Sequence, residues 1–230
     1  MTLSEYAIIV AGGEGRRMGA PVPKQFLEIG GRPILRHTAE RFLEYNPEIN
    51  VIFVLPSDWK KYWTDYCGSN YFIERFTMSS GGITRFHSVK NALEKVPDNA
   101  LVAVHDGVRP FVSKELIAKL FELADKDGAA VPAIPLTDSI REVSQEGGSR
   151  AADRERFVCV QTPQVFRSEI LKAAYGLPFS RSFTDDASVV EARGGKISLC
   201  PGDRENIKVT TPFDLKVAEA ILRSRFQGNP

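Results

Sequence analysis

The sequence predicts an α/β protein built on a mostly parallel central sheet. Two observations carry that expectation: short β-branched runs recur along the chain, and stretches of helical periodicity alternate with them. The runs lie at 6–11, 51–55, 101–105, 129–134 and 197–199. Such alternation is the mark of βαβ units, in which each crossover helix covers a face of the sheet.

Pro33 opens a predicted helix that carries Ile34, Leu35, Thr38, Ala39 and Phe42 at helical spacing. A last helix starts with Thr211 as its cap and Pro212 in its first turn, and places Phe213, Val217, Ala220 and Ile221 on one stripe. Both stripes read as core. One stretch, 137–161, breaks the rhythm: it is mostly polar, and Gln145-Glu146-Gly147-Gly148 gives a turn signal in its middle. A polar hairpin of this kind has little apolar surface to bury against its own domain. It is either an arm that pairs with another subunit or a surface hairpin, and the whole of 1–230 otherwise reads as one domain.

Composition narrows the function. The chain has 230 residues, 43% hydrophobic and 26% charged, and 30 Lys plus Arg against 29 Asp plus Glu leave a formal charge of +1. No overall basic field exists to hold a nucleic-acid backbone, so cations must act locally. Cys67, Cys159 and Cys200 have no CxxC spacing, which fits neither a disulfide framework nor a zinc site and suits a reducing cytoplasm. No apolar run approaches the roughly 20 residues that span a bilayer, and the N-terminus enters a short apolar strand without a basic leader.

The chemistry concentrates at "IIVAGGEGRRMGAPVPKQF", residues 8–26. The third glycine position of a dinucleotide fingerprint is Met18, and no Gly-Lys-Ser/Thr follows, so neither nucleotide motif is present. What remains is a strand end followed by Gly12, Gly13 and Gly15, where missing side chains let a ligand approach backbone N–H groups. Arg16, Arg17 and Lys24 stand beside this turn, at the carboxyl end of the first strand, where open α/β sheets bind ligands. Cations placed there are suited to a transferring phosphoryl group.

Further groups fall at comparable places. "VHDGVRPF" puts Asp106 and Arg109 after the third run; Asp106 would hold a divalent cation or a ribose hydroxyl, or serve as a turn aspartate beside Gly107 and Pro110. "GGITRFHSV" supplies Gly81, Gly82 and Ser88, as a base-recognition loop or a helix cap. "RENIKVTTP" holds Lys208, and "FTDDAS" offers Thr184, Asp185 and Asp186, most simply a helix N-cap with acidic first-turn residues. His37, His87 and His105 lack HExxH spacing, and Gly-x-Ser-x-Gly is absent.

Taken in order, "AGGEGRRMG" with "PKQF", "GGITRFHSV", "HDGVRPF", "DSIR", "DR" before "QTPQVF", "FTDDAS" and "NIKVTTPFDL" resemble the 2-C-methyl-D-erythritol 4-phosphate cytidylyltransferase family over nearly the whole length. The resemblance implies a Rossmann-like nucleotidyltransferase fold with a projecting β-arm at 137–161, assembled as a homodimer. It implies transfer of CMP from CTP to a polyol phosphate, with Mg²⁺ required. By motif, Ala11, Gly12, Gly13, Gly15, Gly82 and Ser88 would bind the nucleotide and Asp106 its ribose or the metal ion. Arg17, Lys24 and Lys208 would bind phosphates and stabilise the pentacoordinate α-phosphorus. Arg109, Ser139, Arg154, Thr162 and Thr184 would hold the sugar phosphate, with Ser139 and Arg154 reaching across from the partner's arm.

Some positions depart from the family's habit. Ser139-Ile140-Arg141 stands where Thr, a hydrophobe and Lys are more usual, Ile83 replaces a common acidic residue, and "VAGG" replaces "PAAG". A related family acting on ribitol 5-phosphate shares "RMG", "PKQF" and "NIK". The short "GAPV" spacer between Met18 and Pro23, with the "DRERFVCVQTPQ" context, favours the methylerythritol enzyme. A non-catalytic nucleotide-binding module would be expected to lose the phosphate cations, all of which are present here.

Overall fold

Every apolar run forms a strand, and helices with several shorter strands fill the stretches between. The computed structural model describes residues 3–13, 22–73 and 76–227. In chain order the elements are β1 (Ser4–Val10), β2 (Glu28–Ile29), β3 (Arg32–Pro33), α1 (Ile34–Tyr45), β4 (Asn50–Leu55), α2 (Lys60–Asn70), β5 (Thr77–Ser80), α3 (Arg85–Leu93) and β6 (Ala100–Asp106). There follow α4 (Lys114–Asp127), β7 (Ala129–Pro135), β8 (Ile140–Val143), β9 (Ser149–Ala152), β10 (Val158–Val160), β11 (Gln164–Arg167), α5 (Ser168–Tyr175), α6 (Asp186–Ala192), β12 (Ser198–Pro201) and α7 (Pro212–Gln227).

Among the described residues the main sheet has eight strands. β5, β4, β1 and β6 lie side by side and run parallel, with β1 between β4 and β6. β10 and β11 run antiparallel to β7, and β11 joins β7 to β6. Ala130 is in register with both Val165 and Ser198, so β12 takes the edge of β7 away from β11. The chain leaves β1 for β4 on one side and returns to β6 on the other, which opens a cleft between the carboxyl ends of β1 and β6.

Strand side chains alternate between two cores, as a period of two requires. Ala7, Ile9, Val51, Phe53 and Leu55 pack under α1, α2 and α4 through Leu35, Phe42, Trp63 and Leu120. Ile8, Ile52, Val54, Val102 and Val104 face Val89 of α3, Leu171 of α5 and Val190 of α6. Each of the Val, Leu, Ile and Phe side chains contributes roughly 1.5–3 kcal/mol on burial. This double coverage explains why the central strands read as continuous apolar runs rather than as alternating ones.

Two details differ from the sequence expectation. In α7 the inward residues are Leu215, Ala218, Ile221 and Leu222, packed on Ile29, Phe111 and Val209, whereas Phe213 is 70% exposed and Ala220 is exposed. Spacing alone offers two overlapping stripes, and contact with that third cluster selects one of them. The polar stretch from 137 is not uniform either: β8 and β9 pair only with each other, closed by a turn in which Gly147 has φ 90° and its N–H donates to the Ser144 carbonyl at 3.2 Å. β10 belongs to the main sheet through β7.

Candidate active site

Three strand ends build the site. Val10 is in register with both Val54 and Asp106, so the turn at 11–13 leaves β1 directly beside the end of β6. The Gly81 N–H donates to the Leu55 carbonyl at 2.8 Å, which carries the chain from β5 alongside that turn. A cavity of about 260 Å³ opens here, lined by Ala11, Gly12, Gly13, Lys24, Gln25, Gly82, Ile83, Arg85, Ser88, Asp106 and Lys208 among others.

"PKQF" is held to this cavity by its own residues. Pro23 leads into a single 3₁₀ turn, Lys24–Phe26, closed by the Phe26 N–H on the Pro23 carbonyl at 2.9 Å. Phe26 is buried against Trp59, Tyr62 and Trp63, with ring centroids 5.1–5.9 Å away. Gln25, also buried, donates from Nε2 to the Ala11 carbonyl at 2.6 Å. Phe26 is committed to the aromatic cluster and Gln25 to the Ala11 carbonyl, while Lys24 lines the cavity with Gly12 and Gly13.

The opposite wall is the start of α3. Thr84, not Ser88, is the helix N-cap; Ser88 lies one turn inside, where its Oγ donates to the Thr84 carbonyl at 3.0 Å and accepts the Gly82 N–H at 2.9 Å. Gly82 is required by space: a Cβ there would sit 2.5 Å from His87 Cβ and 2.9 Å from its backbone carbonyl carbon. Ile83 is 94% exposed at the rim, so no side-chain charge recognises a base at that position.

Among the described residues Asp106 is the carboxylate lining the cavity, and cations surround it. Lys208 Nζ lies 2.9 Å and Arg109 Nε 3.4 Å from Oδ2, and Arg85 Nε lies 3.6 Å from Oδ1. Burial by itself would raise its pKa, but Arg85, Lys208 and Arg109 outweigh that and hold the carboxyl well below the ordinary range. Its backbone is fixed as well, because the Asp106 N–H donates to Thr162 Oγ1 at 3.0 Å. His105 Nε2 faces the Arg109 carbonyl at 3.0 Å and so carries the proton, leaving Nδ1 to accept from Thr162 Oγ1 at 3.1 Å.

This wiring has a pH consequence. Burial pushes His105 down to about 4 from the ordinary 6.5, and its bond to the Arg109 carbonyl and the charge of Asp106 offset only part of that. A histidine kept neutral in the fold contributes stability that is complete above pH 6.5 and is lost as pH falls toward 4, because the unfolded imidazole takes up its proton first. The expected loss is up to about 3 kcal/mol. Urea unfolding at a series of pH values should show this slope, with a smaller one in His105→Gln; equal slopes in the two proteins would contradict it.

The remaining residues expected from the sequence are placed differently. Arg109 is mostly buried and donates from Nη1 to the Asn206 carbonyl at 2.7 Å. Thr162 is buried, its hydroxyl proton engaged by His105. Thr184 is exposed, its N–H on Ser188 Oγ at 3.1 Å, just before the Asp185 cap of α6. Ser139 and Arg154 are exposed beside the β8–β9 hairpin, Arg154 donating to the Thr137 carbonyl at 2.7 Å, and neither lines this chain's own cavity. Arg17 and Gly15 lie outside the described residues.

Sequence reading passed over Gln25 and Arg85. Both stand inside quoted motifs, yet the partner that defines Arg85, Asp186, is 101 residues away and has no local signature. Among the described residues no group of three His, Cys, Asp or Glu could hold a metal ion. Among the described lining residues Asp106 is the one carboxylate and already carries three cations, so these residues supply no protein cage, and a magnesium ion here would have to be carried chiefly by phosphate oxygens. No helix of the described residues is long and apolar enough to cross a membrane.

Bare backbone and clustered cations at the switch point of an open, largely parallel sheet define a nucleotide-handling α/β protein, and the comparisons make it a nucleotidyltransferase. The model of the family described as IspD, 2-C-methyl-D-erythritol 4-phosphate cytidylyltransferase, matches residues 6–224, and the chain belongs to that family. A cytidylyltransferase of that name from Bacteroides thetaiotaomicron is 48% identical over 220 residues, covering 96% of this chain and all of the relative. Another from Azobacteroides pseudotrichonymphae is 52% identical over 222 residues, covering 95% and 98%. The crystal structure of the Thermus thermophilus enzyme superposes with a TM-score of 0.75 at 34% identity, covering 96% of this chain and 100% of that one. A 4-diphosphocytidyl-2C-methyl-D-erythritol synthase from Anaerococcus prevotii gives 0.83 at 29%, with 96% of each chain covered.

Proposed function

We propose that this chain transfers CMP from CTP to 2-C-methyl-D-erythritol 4-phosphate, giving 4-diphosphocytidyl-2-C-methyl-D-erythritol and pyrophosphate. The observation that carries the reading is the meeting of Lys24, Lys208 and Asp106 with the 11–13 turn and Gly82 in one cavity, in a member of this family.

Cytosine packs against Ala11, Gly12, Gly82 and Ser88, where glycine leaves backbone groups within reach, and Asp106 accepts from the ribose. An oxygen of the acceptor's phosphate attacks the α-phosphorus in line. The bond from that phosphorus to the oxygen bridging it to the β-phosphate breaks, and pyrophosphate leaves with the electron pair. Lys24, Lys208 and Arg17 offset the repulsion between the two anions and the charge that builds on the α-phosphoryl oxygens. No general base is needed, because a phosphate monoester is already largely ionised near neutral pH. That agrees with His105 being neutral and occupied on both nitrogens. Magnesium, held by the triphosphate and Asp106, would add Lewis-acid stabilisation.

In this reading Arg109 uses N–H groups beyond those on Asp106 and Asn206 to meet the sugar phosphate, with Thr184, while Thr162 can only accept. Ser139 and Arg154 complete the site of a second copy, with the β8–β9 hairpin of the 137–161 stretch as the arm of a homodimer, β10 being committed to the main sheet. Three unpaired cysteines suit a cytoplasmic setting.

Pyrophosphate release with CTP and magnesium, measured in parallel with 2-C-methyl-D-erythritol 4-phosphate and with ribitol 5-phosphate, tests the assignment. Turnover is expected with the first acceptor and to be at least tenfold slower with the second; the opposite order would overturn it.

A further inference from the structure

Arg85 is the cation at Asp106 that the reaction scheme leaves without a task, and its surroundings are more elaborate than a charge partner needs. Its Nη1 and Nη2 donate to Asp186 Oδ1 and Oδ2 at 3.0 and 2.7 Å, a two-point ion pair with a carboxylate that is 0% exposed. Asp186 in turn accepts from the buried Tyr175 hydroxyl at 2.6 Å. α6 is held in place around this carboxylate: Gln164 bonds the Asp185 carboxylate at 2.8 Å and the Ala187 N–H at 2.9 Å. The guanidinium is therefore fixed in plane and direction from behind, and its Nε edge is turned toward Asp106.

The two oxygens of Asp106 are served unequally. Oδ2 takes Lys208 at 2.9 Å and Arg109 at 3.4 Å, whereas Oδ1 has the longer 3.6 Å approach of Arg85. A carboxylate oxygen accepts in two directions. Among the described residues Oδ1 thus keeps an acceptor direction that no hydrogen bond takes, in a side chain that lines the cavity, and Arg85 restrains rotation of the carboxylate. We propose that Arg85, clamped on Asp186 and Tyr175, is a positioning residue that holds Asp106 Oδ1 toward the nucleotide's sugar and so sets the preference for a ribonucleotide. A lysine could supply the charge but not the fork.

This inference rests on the proposed transfer reaction, and the test separates the two. The ratio of kcat/KM for CTP to that for 2′-deoxy-CTP and for 3′-deoxy-CTP is measured in the parent, in Arg85→Lys and in Tyr175→Phe, alongside each protein's melting temperature. The parent is expected to prefer CTP over at least one deoxy analogue by at least tenfold, since the missing hydroxyl leaves a buried acceptor unmatched. In Arg85→Lys that ratio should fall at least fivefold. In Tyr175→Phe, which keeps both charges of the pair and removes a single hydrogen bond, it should fall about twofold. A merely structural role would lower kcat/KM for all three nucleotides together. Unchanged ratios in both folded variants, or a parent that does not discriminate, would overturn the inference; a parent that transfers nothing from CTP would overturn the function beneath it. Should Arg85→Lys fail to fold, the Tyr175→Phe ratio decides.

Discussion

Lys24→Ala is expected to fold normally and to lose activity by on the order of a hundred- to a thousandfold. At about 4 Å and an effective dielectric near 20, one unit charge beside a phosphoryl oxygen is worth roughly 4 kcal/mol, and each 1.4 kcal/mol is tenfold in rate. The fold is spared because Lys24 itself is only partly buried, while Pro23, Gln25 and Phe26 keep the anchoring of the turn. Steady-state kcat with an unchanged melting temperature checks this, and activity within a few-fold of the parent would remove Lys24 from the chemistry. The same variant tests the arm. Dimers that mix Lys24→Ala with Arg154→Ala subunits should regain one intact site if Arg154 serves the partner; no recovery would show that each site is self-contained.

Asp106→Asn should damage stability and nucleotide use together. The carboxylate is what lets Lys208, Arg85 and Arg109 converge at separations of 2.9–3.6 Å, and a neutral amide leaves those cations facing one another. Removing one partner of a buried pair costs about 3–5 kcal/mol, and the lower end applies because Arg85 retains Asp186 and Lys208 is half-exposed. A drop of about 3 kcal/mol in unfolding free energy and a hundredfold or greater fall in kcat/KM for CTP are expected. The stabilisation from Asp106 should be complete above about pH 3.8 and be lost as pH falls below it, since the folded carboxyl holds its charge longer than the unfolded one. Parent-like urea midpoints in Asp106→Asn would contradict the account.

Periodicity and punctuation carried much of the fold. The five apolar runs became β1, β4, β6, β7 and β12; the pattern is clearest in β1, β4 and β6, because strands covered on both faces have no polar positions to blur it, whereas β12 is a largely exposed edge strand. Pro33 before α1 and Thr211-Pro212 before α7 marked helix starts that local backbone chemistry dictates. β10 and β11 were not legible, since each is short and defined by long-range pairing with β7 and β6. The inward face of α7 was misread for the same reason: its partner surface comes from Phe111 and Val209.

The division at the site is similar. Sequence alone named the candidates for the chemistry, because glycines, cations and their order are local properties of a chain. Only the tertiary structure decided what each is joined to. It turned Thr162 and His105 into supports for Asp106, and it gave Arg85 a buried clamp 101 residues away. The physical reason is that charge and hydrogen bonding act over a few ångströms of space, and contacts across the sheet depend on strand order, which no short stretch of sequence encodes.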